Sequence, residues 1–238
     1  MSNCQECDQP IYFGYCKPCN SVHFQNNFVH WTSGDSNIDE LIQNSQLNAV
    51  INYQTIEWIE YSNFKNIEFI AHGGFGSVYK AIWKDGPIRN YYGEQKWDIN
   101  KSEWKRENEK EVAIKKFRNM TSASSEFLNE VKNNLKLGAG YCNRIYGVTR
   151  DTQNGEYAIV IEFQNSGNLR ELVKNNYSIL NWKIIINILI NISDGLNDIH
   201  DSDYHHKDFH NKTLYGVLPF VAPEVLRGGE FTKAADIY

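Results

Sequence analysis

Several features that would direct the chain to a membrane, a secretory route or nucleic acid are missing from its 238 residues. The longest apolar stretch, Ile184 to Ile192, is broken by Asn187 and Asn191, whereas a membrane span needs about 20 mostly apolar residues. The opening Met1-Ser2-Asn3-Cys4-Gln5-Glu6 lacks the basic and apolar regions of a secretory leader. The expectation is therefore an intracellular, cytoplasmic and reducing location, where disulfides are uncommon. A formal net charge of −5 gives no general attraction to polyanions, so neither nucleic acid nor a membrane is expected as a partner. No internal repeat is visible. The 28 asparagines lie scattered among hydrophobic residues, which argues against a prion-like tract. What is present is a 41% hydrophobic fraction with 6 Trp, 14 Tyr and 12 Phe. That is enough to fill a globular core.

Cysteine is scarce and unevenly placed. Of five, four form Cys4-x2-Cys7 and Cys16-x2-Cys19. Each pair can aim two sulfurs at one point, and two pairs complete the tetrahedral set that structural zinc prefers. Free thiols in a loose tail, or two disulfides in an oxidising compartment, are the competing readings. Cys142 has no partner nearby in sequence and reads as an ordinary buried thiol.

The chain divides at sequence level into a Cys4 knuckle-like segment (1–22), a helical connector (23–63) and a larger domain (64–238). Ser36-Asn37-Ile38-Asp39 resembles a capped helix start, followed by Leu41, Ile42 and Leu47 at helical spacing. No chemistry is expected of this connector. From Phe64 to about Val160, short strands surround one helix at Ser125–Leu137. The stretch Lys84–Glu111 carries 14 charged residues in 28 and reads as an extended, solvated hairpin loop. After Asn168 the pattern becomes helical, with Trp182, Ile185, Leu189, Ile192, Leu196 and Ile199 forming one apolar stripe. Strands followed by helices imply an α+β arrangement in two lobes.

Ile70-Ala71-His72-Gly73-Gly74-Phe75-Gly76-Ser77-Val78 lies between two strands, where glycines let backbone amides approach phosphates. Alone it could equally be a tight hairpin. Val112-Ala113-Ile114-Lys115 puts a lysine at the end of an apolar strand, either solvated or inward. Glu130 lies on the next helix, where it can pair with Lys115 and leave the ammonium to hold the α/β-phosphates of ATP.

With the hinge-like Ile161-Glu162-Phe163-Gln164, His206-Lys207-Asp208 and Ala222-Pro223-Glu224, the chain resembles the protein kinase family from about Phe64 to Tyr238, and within it the tyrosine-kinase-like group. The resemblance implies a two-lobed fold with a strand-rich first lobe and a helical second one. It implies ATP and magnesium as cofactors and a protein substrate or signalling partner, with Ser/Thr hydroxyls favoured over Tyr. Asp208 takes the place of the catalytic base, with Lys115 and Glu130 as its companions. Ile70, Gly73, Gly74, Phe75, Gly76, Val78, Ala113, Lys115, Glu162 and Gln164 take the places that surround ATP. A metal reading of His200, His205, His206 and His210 with Asp203 and Asp208 fits no closed ligand set.

The sequence departs from the family at the magnesium ligands. Five residues after Asp208 stands Thr213 instead of Asn, and between Phe209 and Ala222 there is no Asp or Glu. Only 15 steps separate Asp208 from Pro223, too few for the family's metal loop. Ala71 replaces the first loop glycine, and Lys207 the usual Arg. Tyr238 falls where the central helix of the second lobe should begin, which would leave the Trp182–Ile199 stripe uncovered. The expectation is an internally deleted and truncated kinase with impaired catalysis, or a pseudokinase acting as an adaptor. An active kinase recruiting metal by other means is the least favoured reading.

Overall fold

The computed structural model describes residues 2–11, 14–72, 76–89, 96–117, 120–137, 144–165 and 181–201. They belong to two compact units, one of residues 1–139 and 143–165, the other of residues 140–142 and 166–238.

The first unit opens with a small hairpin, β1 (Ser2–Asn3) against β2 (Pro10–Ile11), followed by α1 (Lys17–Asn27) and α2 (Ser36–Asn48). Then come β3 (Glu57–Trp58), β4 (Phe64–His72), β5 (Gly76–Trp83), β6 (Trp97–Asp98), β7 (Glu103–Trp104) and β8 (Lys110–Phe117). The helix α3 (Ser125–Leu137) precedes β9 (Ile145–Arg150) and β10 (Tyr157–Glu162). Six strands form one sheet in the order β3-β9-β10-β8-β5-β4, antiparallel except for the parallel pair β3–β9.

Strand β8 lies inside this sheet, and its register sorts the core. Directly opposed residues share a face. Val78, Lys115 and Ile159 stand opposite one another on one face, and Tyr79, Ile114 and Val160 on the other. Behind Ile114 and Val160 lie Val112, Ala158, Ala81, Trp83, Phe64, Ile59 and Tyr146. On the Lys115 face, Ile159, Tyr157, Val148 and Phe117 pack with Phe127 and Val131 of α3 and with Ile38, Leu41 and Ile42 of α2. Full burial of each such aliphatic or aromatic side chain contributes about 1.5–3 kcal/mol.

The segment read from sequence as a connector thus lends a helix to that core and a strand to that sheet. Helix α2 is capped by Asp35, one residue before the expected start, whose carboxylate accepts from Asn37 N at 2.9 Å. The β3–β9 pairing needs glycine at 147, because a Cβ there would lie 2.1 Å from the Glu57 carbonyl oxygen.

The charged stretch 84–111 holds the expected hairpin but is not wholly solvated. Its described residues form the β6–β7 hairpin, with Trp97 opposite Trp104, and they bury Ile88 and Lys96. Arg106 pairs with Glu57 and donates to the Gly86 carbonyl at 2.9 Å. High charge is compatible with burial here because the charges are paired and the aliphatic stems cover apolar surface. The hairpin receives α1: His23 stacks on Trp97 at 3.9 Å between ring centroids, and Phe24 on Trp104 at 4.3 Å.

Of the second unit, the described part is α4 (Trp182–Asp201), started by Asn181, whose side chain accepts from Ile184 N at 3.0 Å. Trp182, Leu189 and Ile192 of its apolar stripe are exposed, while Ile199 is buried. Among the described residues no helix is long and apolar enough to cross a membrane.

Candidate functional site

Lys115 stands near the end of β8 because Val112, Ala113 and Ile114 anchor that strand in the sheet. Glu130 projects from α3, which Phe127 and Val131, both fully buried, hold against the same sheet face. The result is a hydrogen-bonded ion pair, Lys115 Nζ to Glu130 Oε1 at 2.6 Å. Both side chains are about a third exposed or less, at 27% and 32%, so the pair is neither locked in the core nor fully screened by water. A lysine held in this way presents a fixed positive charge, suited to phosphate oxygens.

The other residues singled out from sequence fall around that pair unevenly. Val78 is the register partner of Lys115, and Ala113, two residues before it, shares its face. Ile70 is the extra residue of a bulge in β4, where the register steps from Phe69 to Ala71. Gly76 opens β5, and a Cβ there would lie 1.8 Å from the Lys116 carbonyl oxygen. Close strand approach therefore explains that glycine without any ligand. Glu162 ends β10, its amide donating to the Arg144 carbonyl at 2.8 Å, and Gln164 follows as an exposed residue. Gly73, Gly74, Phe75 and Asp208 lie outside the described residues, as do Cys142, His205, His206, His210 and Thr213.

A second ion pair, Lys116–Asp151, escaped the sequence reading. Its side chains are more buried than those of Lys115–Glu130, at 11% and 4% exposed. Burial alone would raise the Asp151 carboxyl, but the Lys116 ammonium and the Gln153 amide hold it below the usual carboxylate range. Neighbouring lysines on a strand point to opposite faces. Only adjacency to Lys115 hints at this pair in the sequence.

The four N-terminal cysteines converge. Their sulfurs lie within 4.8 Å of one another, with Cys4–Cys19 at 3.8 Å and Cys7–Cys16 at 3.6 Å. A tetrahedron with metal–sulfur bonds of about 2.3 Å has sulfur–sulfur edges of about 3.8 Å. The donor set therefore fits a structural zinc, and these separations are far too long for disulfide bonds. Cys16 is the N-cap of α1 yet makes no capping hydrogen bond through its side chain, and Cys19 sits in the first turn. Burial pushes the Cys16 thiol up to about 11 and Cys19 higher still, while the Gln9 backbone draws Cys7 down. A metal held here would take these sulfurs as thiolates.

Residues 64–215 match the protein tyrosine and serine/threonine kinase family. The chain belongs to the protein kinase family. Among curated proteins it is similar to cysteine-rich receptor-like protein kinase 1 of Arabidopsis thaliana, with 26% identity covering 82% of this chain and 34% of that protein. It is similar to the receptor-like serine/threonine-protein kinase SD1-7 of the same plant, at 29% over 58% of this chain and 14% of that protein. A third relative is the probable serine/threonine-protein kinase roco5 of Dictyostelium discoideum, at 23% over 76% of this chain and 7% of the relative. The chain spans at most 34% of the length of these relatives. Its α+β fold is that of a kinase domain, preceded by a cysteine cluster able to hold a metal.

Proposed function

We propose that this kinase-family chain binds ATP through the Lys115–Glu130 pair and is impaired in phosphoryl transfer. The observation that carries the binding half is the 2.6 Å contact between Lys115 Nζ and Glu130 Oε1. The pair fixes an ammonium beside Val78 and Ala113, where triphosphate oxygens and an adenine ring would need a charge and a smooth apolar wall. The reaction class belonging to the family is transfer of the γ-phosphoryl group to a protein hydroxyl. Serine and threonine are favoured over tyrosine, since the relatives SD1-7 and roco5 are named serine/threonine kinases.

Impairment follows from the donor set offered to magnesium. Thr213 offers one hydroxyl where the family has an Asn, and residues 209–222 offer no carboxylate. Magnesium prefers hard oxygen ligands, carboxylate above all, in strict geometry, so these residues do not fit it. Phosphoryl transfer depends on charge neutralisation by that ion. The alignment with cysteine-rich receptor-like protein kinase 1 runs over 232 positions and covers 82% of this chain's 238 residues. That relative therefore has residues with no counterpart here.

The test is direct. A fluorescent ATP analogue is titrated into the full chain and into Lys115→Met and Glu130→Gln, alongside a radiometric phosphotransfer assay on a generic protein substrate. Saturable binding that weakens in both variants, with no turnover, is the expected result. Lys115-dependent turnover overturns the impairment, and affinity indifferent to Lys115 overturns the binding site.

An adaptor role is the second reading, favoured by the geometry of the cysteines. Zinc held by Cys4, Cys7, Cys16 and Cys19 would make the N-terminal segment a rigid knuckle for a protein partner.

A further inference from the structure

Helix α3 carries Glu130 but is not fastened by the sheet alone. Its flank of Leu128, Lys132 and Leu135 shares a groove of about 450 Å³ with Leu41, Glu40 and Asn44 of α2. Phe127 and Val131 join the same core cluster as Ile38, Leu41 and Ile42. The two helices also meet through one carboxylate. Asp35 Oδ1 accepts from Asn37 N at 2.9 Å, capping α2, and Asp35 Oδ2 accepts from Ala123 N at 2.8 Å, across 88 residues of sequence. Ala123 lies two residues before α3 begins. Immediately afterwards, Ser124 Oγ accepts from Phe127 N at 3.3 Å.

The segment bearing Asp35 is itself immobilised. Asp39 accepts from Ser33 N at 2.7 Å and from the Thr32 hydroxyl at 2.6 Å. The buried Tyr157 hydroxyl donates to the Ser33 carbonyl at 2.8 Å, tying residues 32–39 to β10. A carboxylate fixed at this point can therefore hold the start of α3 in place. From Ser125 to Glu130 the helix rises about 7.5 Å, so a small tilt at its start shifts Glu130 relative to Lys115. A salt bridge at 2.6 Å tolerates little such shift.

We propose that Asp35 is a positioning residue for nucleotide binding: by joining the caps of α2 and α3 it holds Glu130 within reach of Lys115. The inference rests on the reading that Lys115 and Glu130 hold ATP, and it adds a residue outside the matched span 64–215. The direction of the Asp35 titration agrees with this geometry. The Ala123 amide, followed by Asn37, holds its carboxyl below the usual range against the opposing effect of burial.

The discriminating variant is Asp35→Ser. Serine caps a helix about as well as aspartate, but its single, shorter oxygen cannot serve both amides, so α2 survives and the bridge is lost. Two readouts are taken on the full chain. In the first, Lys115 is acylated competitively against the exposed Lys101 and followed by mass spectrometry. Lys115 labelling should accelerate in Asp35→Ser and in Glu130→Gln, with no further gain in the double variant. In the second, affinity for the ATP analogue should fall roughly 5-fold or more in Asp35→Ser, the low end of a typical coupling between sites, and should not fall further in the Lys115→Met background. Unchanged Lys115 labelling in Asp35→Ser, or additive effects with Glu130→Gln, overturns the proposal. If the unmodified chain binds no nucleotide, the ATP reading fails while the labelling arm still decides the role of Asp35.

Discussion

The stretch from Ser2 to Asn27 and the six-stranded sheet illustrate two ways of stabilising a fold. Among the described residues of the first, the buried apolar side chains are Cys4, Ile11, Tyr15, Cys16 and Phe24, and two of these five are thiols. In the second, α3, α2 and one face of the sheet bury Phe127, Val131, Ile38, Ile42, Ile159 and their neighbours in one continuous cluster. A described core of this size repays little of the entropy of ordering the segment. The sheet can repay it, and needs no ion. The cysteine region should therefore depend on metal and the sheet on packing.

Metal removal should separate the two most strongly, since a structural zinc contributes about 10–16 kcal/mol to a small knuckle. Treating the chain with a strong chelator should unfold residues 2–27 and abolish amide protection there, while β8 and β10 keep theirs. Tryptophan fluorescence should change as His23 and Phe24 leave Trp97 and Trp104. Simultaneous loss of both regions would contradict the division.

Phe127→Ala is the converse perturbation. It empties a fully buried site between α3 and Phe117 and should cost about 3–5 kcal/mol. Denaturant unfolding of the sheet should show that loss, whereas zinc content measured by mass spectrometry should not change. A smaller effect is expected from Gly76→Ala, whose Cβ meets the Lys116 carbonyl; crowding of this kind typically costs about 1–3 kcal/mol. Exchange at the β5–β8 ladder should accelerate, with α1 untouched.

The smallest effect is that of pH on Asp35. Its carboxyl titrates below the ordinary value in the fold, so its contribution is complete above about pH 4 and is lost as pH falls through the folded value. Denaturant midpoints measured from pH 6 downward should show a shallower acid decline in Asp35→Ser than in the unmodified chain.

The parts legible in sequence were those governed by local pattern or by family motif. Val112-Ala113-Ile114 announced a buried strand, Phe127 and Val131 the inner side of a helix, and the Cys-x2-Cys spacing a convergence of sulfurs. The Lys115–Glu130 contact followed from motif order. Long-range packing was less legible. Nothing in Ser36–Asn48 distinguishes a helix on α3 from a connector, because Ile38, Leu41 and Ile42 fit either neighbour. The bulge at Ile70 follows from strand register, which no single residue encodes. In the 84–111 stretch the hairpin was legible, but a count of charges hid its partial burial because Arg106 is matched by Glu57, 49 residues away.

The most direct measurement is calorimetric titration of the full chain with ATP, with magnesium present and with it chelated, on unmodified protein and on Lys115→Met. Binding that needs Lys115 and is unchanged by magnesium is expected, because Lys115 and Glu130 are paired while residues 209–222 offer magnesium no carboxylate. Binding that strengthens markedly with magnesium would contradict it, as would affinity unaffected by Lys115→Met.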